Sequence, residues 1–345
     1  MLSERENRIL SLLQEGKAAT SGEILAALNG ASLATVKRDL ARLVAANLVV
    51  SSGKGRGTKY AVSRAYRLLG PVDIEAYYAK EADERQINRL FNWELLREAL
   101  PKTKLFTSDE SARLNALQRT FSEHLSTLGP AGYRKEMERL AIDLSWKSSQ
   151  IEGNTYSLLE TERLLKEKQT ASGKTKEEAT MLLNHKAAID FIVANPDFVK
   201  PLTVAAIEDI HALLVKELDV ERNVRTRRVG ISGTNYQPLD NEFQIHEALT
   251  ATCDLIGARQ DAFEQALLGL ALISYIQPFM DGNKRTARIM ANALLLANGC
   301  CPLSFRTVDS VDYKKAMLIF YEQNNISTFK RIFVEQYEFA VNTYF

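Results

Sequence analysis

Pro278 separates two apolar segments, and no other position constrains the fold of this chain so tightly. From Leu267 to Ile276 the sequence is almost wholly apolar, and Pro278 cannot continue a regular helix, because its ring removes a backbone donor and clashes with the preceding turn. A buried helix is therefore predicted to stop there, with a loop after it. From Asn283 onward Ile289, Met290, Ala293, Leu294 and Ala297 recur at helical spacing until Gly299, a C-terminal cap signal. Asp281, Gly282 and Asn283 then lie at a helix start, where exposed N–H groups and the positive end of the helix dipole favour anions. Gly282 lets a ligand approach the backbone closely. Arg285 and Arg288, three apart, share a face over that site, and two guanidinium groups beside a helix N-terminus suit a polyphosphate. Asp281 is placed to hold the hard cation that accompanies one.

The run from Gln277 to Arg288 resembles the signature loop of the Fic/Doc family, HxFx(D/E)GN(G/K)RxxR, and matches all of its fixed positions except the first. The family's usual reaction moves AMP from ATP onto a Ser, Thr or Tyr hydroxyl of another protein. The resemblance implies Asp281 for magnesium, Gly282, Asn283, Lys284 and Arg285 for the phosphates, Arg288 for the terminal phosphate and Phe279 as a core anchor. Catalysis would fall to Arg285 and to position 277, where the family carries the histidine that takes the proton from the target hydroxyl. Gln277 stands there instead. A carboxamide has no usable basic pKa near neutrality, so transfer is expected to be lowered or lost while ATP binding survives. Lys284 is the lysine of the Doc branch, which is associated with transfer of the terminal phosphate.

At 345 residues the chain should form two or three domains. Its net charge of +1 conceals an asymmetry: residues 1–67 carry 11 basic against 5 acidic side chains, which leaves −5 for the remainder. Any nucleic-acid surface should therefore lie at the front. Three cysteines without CxxC spacing, and no secretory apolar region at the N-terminus, suggest a reduced cytoplasm. No apolar run is long enough to span a membrane.

Residues 4–15 read as an amphipathic helix with Ile9, Leu10, Leu12 and Leu13 inward, and Ser21 as the cap of a second helix closed by Asn29-Gly30. A third begins at Ser32 and runs to about Asn47, with Val36, Leu40 and Leu43 toward the core. Thr35, Lys37, Arg38 and Arg42 face away, available to phosphates and base edges. Two short apolar stretches then flank Gly53-Lys54-Gly55-Arg56-Gly57, a hairpin with a basic tip. The string Ala34-Thr35-Val36-Lys37-Arg38-Asp39-Leu40 is similar to the recognition helix of DeoR-like winged-helix repressors, which implies DNA binding through Thr35, Lys37, Arg38 and Arg42 together with Lys54 and Arg56, with a homodimer possible.

Residues 66–130 carry less information: Leu90–Leu96 reads as helical, Pro101–Ser111 as a connector, and Gly129-Pro130 as a break. Glu136–Ser149 is helical by spacing and ends in Ser148-Ser149-Gln150-Ile151-Glu152-Gly153. That ending is similar to the inhibitory motif (S/T)xxxE(G/N) of many Fic proteins, and the resemblance implies that Ser148, Glu152 and Gly153 restrain the site. Glu152 would pair with Arg288 in the place of the terminal phosphate. The four histidines, 124, 185, 211 and 246, lack metal-ligand spacing and read as structural or exposed, with His246 the one to watch as a substitute base. Val224–Ile231 alternates, and Ser232–Asn235 is a turn, so a hairpin is expected. In the family this flap, here Arg228, Val229, Gly230 and Ile231, pairs with an extended segment of the target protein. Tyr313 lies near a family adenosine-side position.

The expected architecture is mainly α: a winged helix-turn-helix domain at 1–65, a helical connector at 66–130, and a Fic-type helical bundle with a β-hairpin flap at 131–345, its inhibitory helix at about 136–153. Three functions remain open. They are an autoinhibited, ATP- and magnesium-binding AMP transferase weakened at Gln277, a DNA-binding regulator with a silent nucleotide-sensing core, and a Doc-like phosphotransferase.

Overall fold

A computed structural model of the chain describes all residues except Met1, Gly16, Lys17 and Asn29, and at Glu15 and Arg56 it describes the backbone alone. The expected helix closure at Asn29 and the wing side chain of Arg56 thus lie outside the described residues. The chain divides into two compact units, one reaching to Val72 and completed by Gln323–Ser327, the other formed by the rest.

In the first unit, helix α1 (Glu4–Glu15) buries Ile9, Leu10 and Leu13 against the aliphatic faces of α2 (Ser21–Ala27) and α3 (Leu33–Ala45). Strand β1 (Ala19–Thr20) precedes α2, and β2 (Val49–Ser52) and β3 (Lys59–Val62) follow α3, giving an antiparallel sheet in the order β1-β3-β2. β1 is too short to leave a periodic signal in the sequence. The cap of α2 is Thr20, not Ser21, because Thr20 and Glu23 form a reciprocal capping box. On α3, Val36, Leu40 and Leu43 are buried, Lys37 and Arg38 are exposed, and Thr35 is half-buried at the Ser32 cap. Arg42 departs from expectation. Its guanidinium lies 2.6 Å from Asp39 and 3.2 Å from Glu6, so it ties α3 to α1 rather than standing free for a ligand. A short helix, α4 (Arg64–Leu69), closes this unit, where Asn325 donates to the carbonyl oxygens of Arg67 and Gly70.

The second unit begins at Asp73, so residues 73–130 belong to it and are not a separate connector. It opens with α5 (Ile74–Tyr78) and a π-helical turn at Leu95–Ala99, where the sequence suggested an ordinary helix over 90–96. A long helix, α6 (Ser108–Ile151), is bent at Gly129, which takes φ 64° and ψ 169° ahead of Pro130. The break was legible, but the helical segment before it was not. Then come α7 (Leu158–Glu167), α8 (Lys176–Ala194), α9 (Val204–Leu214), α10 (Glu242–Gly257) and α11 (Ala262–Ile276). They are followed by α12 (Asn283–Ala297), α13 (Ser310–Gln323) and α14 (Ser327–Tyr344). α11 is buried on every side, as expected of a helix apolar all round, and α12 packs along it and against α8 and α9. This central pair is the platform on which the signature loop is held. No helix among the described residues is long and apolar enough to cross a membrane.

The expected flap hairpin is absent. Among the described residues of 224–238 no two strands pair, and an isolated parallel bridge joins Leu90 to Gln237. The sequence alternation suggested a strand, but the adjacent Val224 and Arg225 are both buried, and Arg225 satisfies backbone carbonyls with its side chain in place of a cross-strand ladder.

Candidate nucleotide site

α11 ends one residue before the proline: Gln277 takes a left-handed conformation (φ 52°, ψ 59°) and donates from its Nε2 to the Ser274 carbonyl at 2.7 Å. Its Oε1 accepts from Asn283 Nδ2 at 3.0 Å. Both ends of the carboxamide are thus held by hydrogen bonds to Ser274 and Asn283. Asn283 is likewise committed. It accepts from the Phe279 N–H at 2.8 Å and donates to the Phe279 carbonyl at 2.8 Å, so its side chain braces the loop, and only its backbone N–H can meet an anion. Phe279 is fully buried with its ring on that of His211, centroids 3.6 Å apart and planes 2° from parallel. His211 Nε2 is 3.0 Å from the Asp281 carbonyl and its Nδ1 3.0 Å from that of Arg222, which makes this buried histidine a brace between two loops.

α12 then starts at Gly282, whose φ of 80° suits glycine, with no side chain capping the first N–H groups and no acidic residue in the first turn. An uncapped helix start above two cations is a ready anion site. Arg285 is 1% exposed and donates to Asp281 at 3.0 Å, but its Nε and Nη1 have no hydrogen-bond partner; Arg288 is fully buried, with Nη1 likewise unpartnered. Buried N–H groups without acceptors are costly, and phosphate oxygens would satisfy them.

Glu152 closes this arrangement from the end of α6. Its Oε1 accepts from Arg288 Nη2 at 2.8 Å and its Oε2 from Lys284 Nζ at 3.2 Å. Burial opposes ionisation, yet Arg288 and Lys284 together hold the Glu152 carboxyl below its ordinary pKa. It is therefore charged at neutral pH. Behind it, Ser148 accepts from Arg288 Nε at 2.8 Å through its hydroxyl and from Nη2 at 2.9 Å through its carbonyl. The Ser148 hydroxyl then has its own proton for His185 Nε2, 2.6 Å away. Burial, with Arg288 and Arg285 nearby, pushes the His185 pKa well below its ordinary value, consistent with a neutral ring that accepts here. Gly153, at φ 101°, lets the chain leave the helix directly after Glu152.

These parts surround a cleft of about 360 Å³. Glu152, Gln277, Asp281, Gly282, Asn283 and Lys284 line it, with Val229, Gly230 and Ile231 of the flap segment at the rim. Arg285 and Arg288 lie buried beneath. Arg228 is not part of the lining; it is exposed and paired with Asp240 at 2.6 Å. Tyr313 is also excluded, being fully buried with its ring centroid 5.4 Å from the Arg288 guanidinium. His246 is half-buried on α10 and does not line the cleft, which removes it as a substitute base. Sequence reasoning missed Lys314, Met317, Leu318 and Tyr321, the wall given by α13, because nothing local marks them. It also missed Arg225. That side chain is 1% exposed and donates to the carbonyls of Gln277 (2.7 Å), Arg227 (2.8 Å) and Leu239, stapling the flap root to the signature loop. No local feature of the sequence marks it.

Arg225→Ala should therefore leave three carbonyls unpaired, two of them buried, at a cost of about 2–5 kcal/mol and a melting temperature lower by roughly 5–15 °C. Arg225→Lys should not restore it, since an ammonium lacks the planar fork. A thermal melt of the alanine variant within a degree of the unaltered chain would refute the role.

Asp281, 67% exposed at the cleft edge, fits a magnesium ion held by one carboxylate together with phosphate oxygens. Among the described residues no three potential ligands cluster into an all-protein metal cage.

Residues 201–295 match the sequence model described as the Fic/DOC family. A curated protein named protein adenylyltransferase Fic from Culex quinquefasciatus is 28% identical over 182 residues, 50% of this chain and 35% of that protein. A namesake from Nematostella vectensis is 27% identical over 175 residues, 49% of this chain and 40% of its own. The chain thus spans well under half the length of these relatives. In fold it is similar to Fic-1 of Caenorhabditis elegans, with a TM-score of 0.60 at 21% identity, over 69% of this chain and 72% of that one. It is also similar to a Fic domain-containing signaling protein of Bacteroides thetaiotaomicron, with a TM-score of 0.56 at 19% identity, over 67% and 94%.

Proposed function

We propose, from the match of residues 201–295 to the Fic/DOC family model, that the cleft binds ATP with magnesium, that Glu152 restrains this binding, and that AMP transfer to a protein hydroxyl is weak because position 277 holds no base. The observation that supports it most is the Glu152 carboxylate seated on Arg288 and Lys284 beside the uncapped start of α12. A carboxylate there takes the place that an anionic ligand needs. The N–H groups opening α12, with Arg285 and Arg288, would hold the phosphates, and Asp281 would hold magnesium, which neutralises charge on the group transferred. A target protein would approach over Val229–Ile231, its acceptor hydroxyl directed toward Gln277. The curated relatives' name, protein adenylyltransferase, favours AMP transfer over transfer of the terminal phosphate. Incubation with ATP labelled at the alpha or the gamma phosphate tests this: gamma label on protein, without alpha, would exclude the AMP-transfer reading.

A second reading concerns the N-terminal unit. Lys37 and Arg38 are exposed on the α3 face opposite its buried one, and Lys54 is exposed at the tip between β2 and β3. This favours DNA as a partner, with Thr35 at the start of the same helix. Lys37→Glu with Arg38→Glu should weaken binding to duplex DNA at least tenfold and lower the salt slope by about 2, in a fluorescence titration across salt concentrations. Equal affinity for both chains would remove DNA as the ligand of this face.

A further inference from the structure

Lys284 sits where a helix tolerates a cation poorly. It lies in the first turn of α12, beside Arg285, with no acidic residue in that turn, so its charge adds to the positive end of the dipole. Among the described residues, the three cations Lys284, Arg285 and Arg288 pair with two carboxylates, Glu152 and Asp281. Each cationic side chain of the Glu152 contact has a different freedom. Arg288 is fully buried, with Nε and Nη2 fixed by Ser148, so its fork cannot turn. Lys284 keeps a quarter of its side chain exposed on a flexible stem and lines the cleft, so it can turn toward an entering anion.

Resting on the reading of the cleft as an ATP site restrained by Glu152, we infer that Lys284 is a positioning residue with two exclusive partners. In the closed state it holds the second oxygen of Glu152, and in the open state it passes to the phosphate tail while the carboxylate gives up Arg288 to the terminal phosphate. Glu152 is thereby clamped through both oxygens, by one rigid and one mobile cation. The ligand that opens it is an anion with enough charge to draw Lys284 away, as a nucleoside triphosphate does.

The consequence is a reversal of sign that neither a plain phosphate ligand nor a solvated lysine produces. Mg-ATP binding is measured by calorimetry on the full chain, with Glu152 present or replaced by alanine, and with Lys284 or Lys284→Ala in each background. With Glu152 present, Lys284→Ala should tighten Mg-ATP about threefold, because the clamp weakens more than the phosphate contact; with Glu152→Ala it should weaken Mg-ATP about threefold, a coupling of about tenfold. Lys284→Arg should restore the unaltered behaviour in both backgrounds. Weakening by the same factor in both would reduce Lys284 to a phosphate ligand, and no change in either would make it a surface lysine; both outcomes overturn the inference. If Glu152→Ala alone fails to tighten Mg-ATP, the restraint reading itself fails, whatever Lys284 does. Melting temperatures of the six chains confirm that each is folded.

Discussion

Replacing Glu152 with glycine is expected to raise the affinity for Mg-ATP by about 10- to 100-fold, the gain when a competent state populated at only 1–10% becomes the dominant one. The estimate follows from the contact itself. Two charge-assisted bonds, 2.8 Å to Arg288 and 3.2 Å to Lys284, hold one carboxylate at the end of α6, in the place where a terminal phosphate would be gripped. The guanidinium fork cannot accept both anions. Glu152→Gln should fall between, since it keeps an acceptor for Arg288 but gives up the charge. The contact should also persist at neutral pH. Because Arg288 and Lys284 depress the Glu152 pKa in the folded chain, its stabilising contribution is complete above the ordinary carboxylate value and is lost only as pH falls through the depressed one. Calorimetric titration of the three chains with Mg-ATP decides it. Equal dissociation constants would mean that the ion pair is structural and leaves the nucleotide site unguarded.

The second large effect concerns chemistry. Gln277→His in the Glu152→Gly background should raise self-modification by alpha-labelled ATP by about 100- to 10,000-fold, the usual contribution of a positioned general base. The local backbone permits the exchange: position 277 is in the left-handed region, which histidine visits more readily than most residues. The present carboxamide is spent on the Ser274 carbonyl and on Asn283, and neither end can take up a proton. Should the double variant bind Mg-ATP tightly and still transfer nothing, the absent base is not what limits the reaction. The flap would then be the place to look, since Val229–Ile231 form a rim without a paired strand against which a target could align.

Much of this was legible from residue order alone, wherever the physics is local. An apolar run followed by Pro278, then Gly282 before a helical repeat, dictates a helix, a tight loop and an open helix start, because each depends on neighbours a few residues apart. The faces of α3, the break at Gly129 and the end of α6 at Glu152 follow from the same short-range rules. Other features belong to the fold. Nothing near Asn283 announces that its side chain braces Phe279 and Gln277, nothing near Arg225 that its fork replaces a strand ladder, and nothing on α13 that it walls the cleft. Alternation in the sequence over Val224–Ile231 even pointed to a hairpin, since a period-two pattern of residue types does not say what satisfies their backbone. The pairing of Glu152 with Arg288 was implied by the family resemblance and is present, whereas its second contact, to Lys284, over 130 residues away in sequence, is tertiary. The sequence by itself determined which charges the site has, and only the packing of α6 against α12 decided that the Glu152 carboxylate rests on Arg288 and Lys284, because burial and ion pairing depend on distances that chain order does not contain.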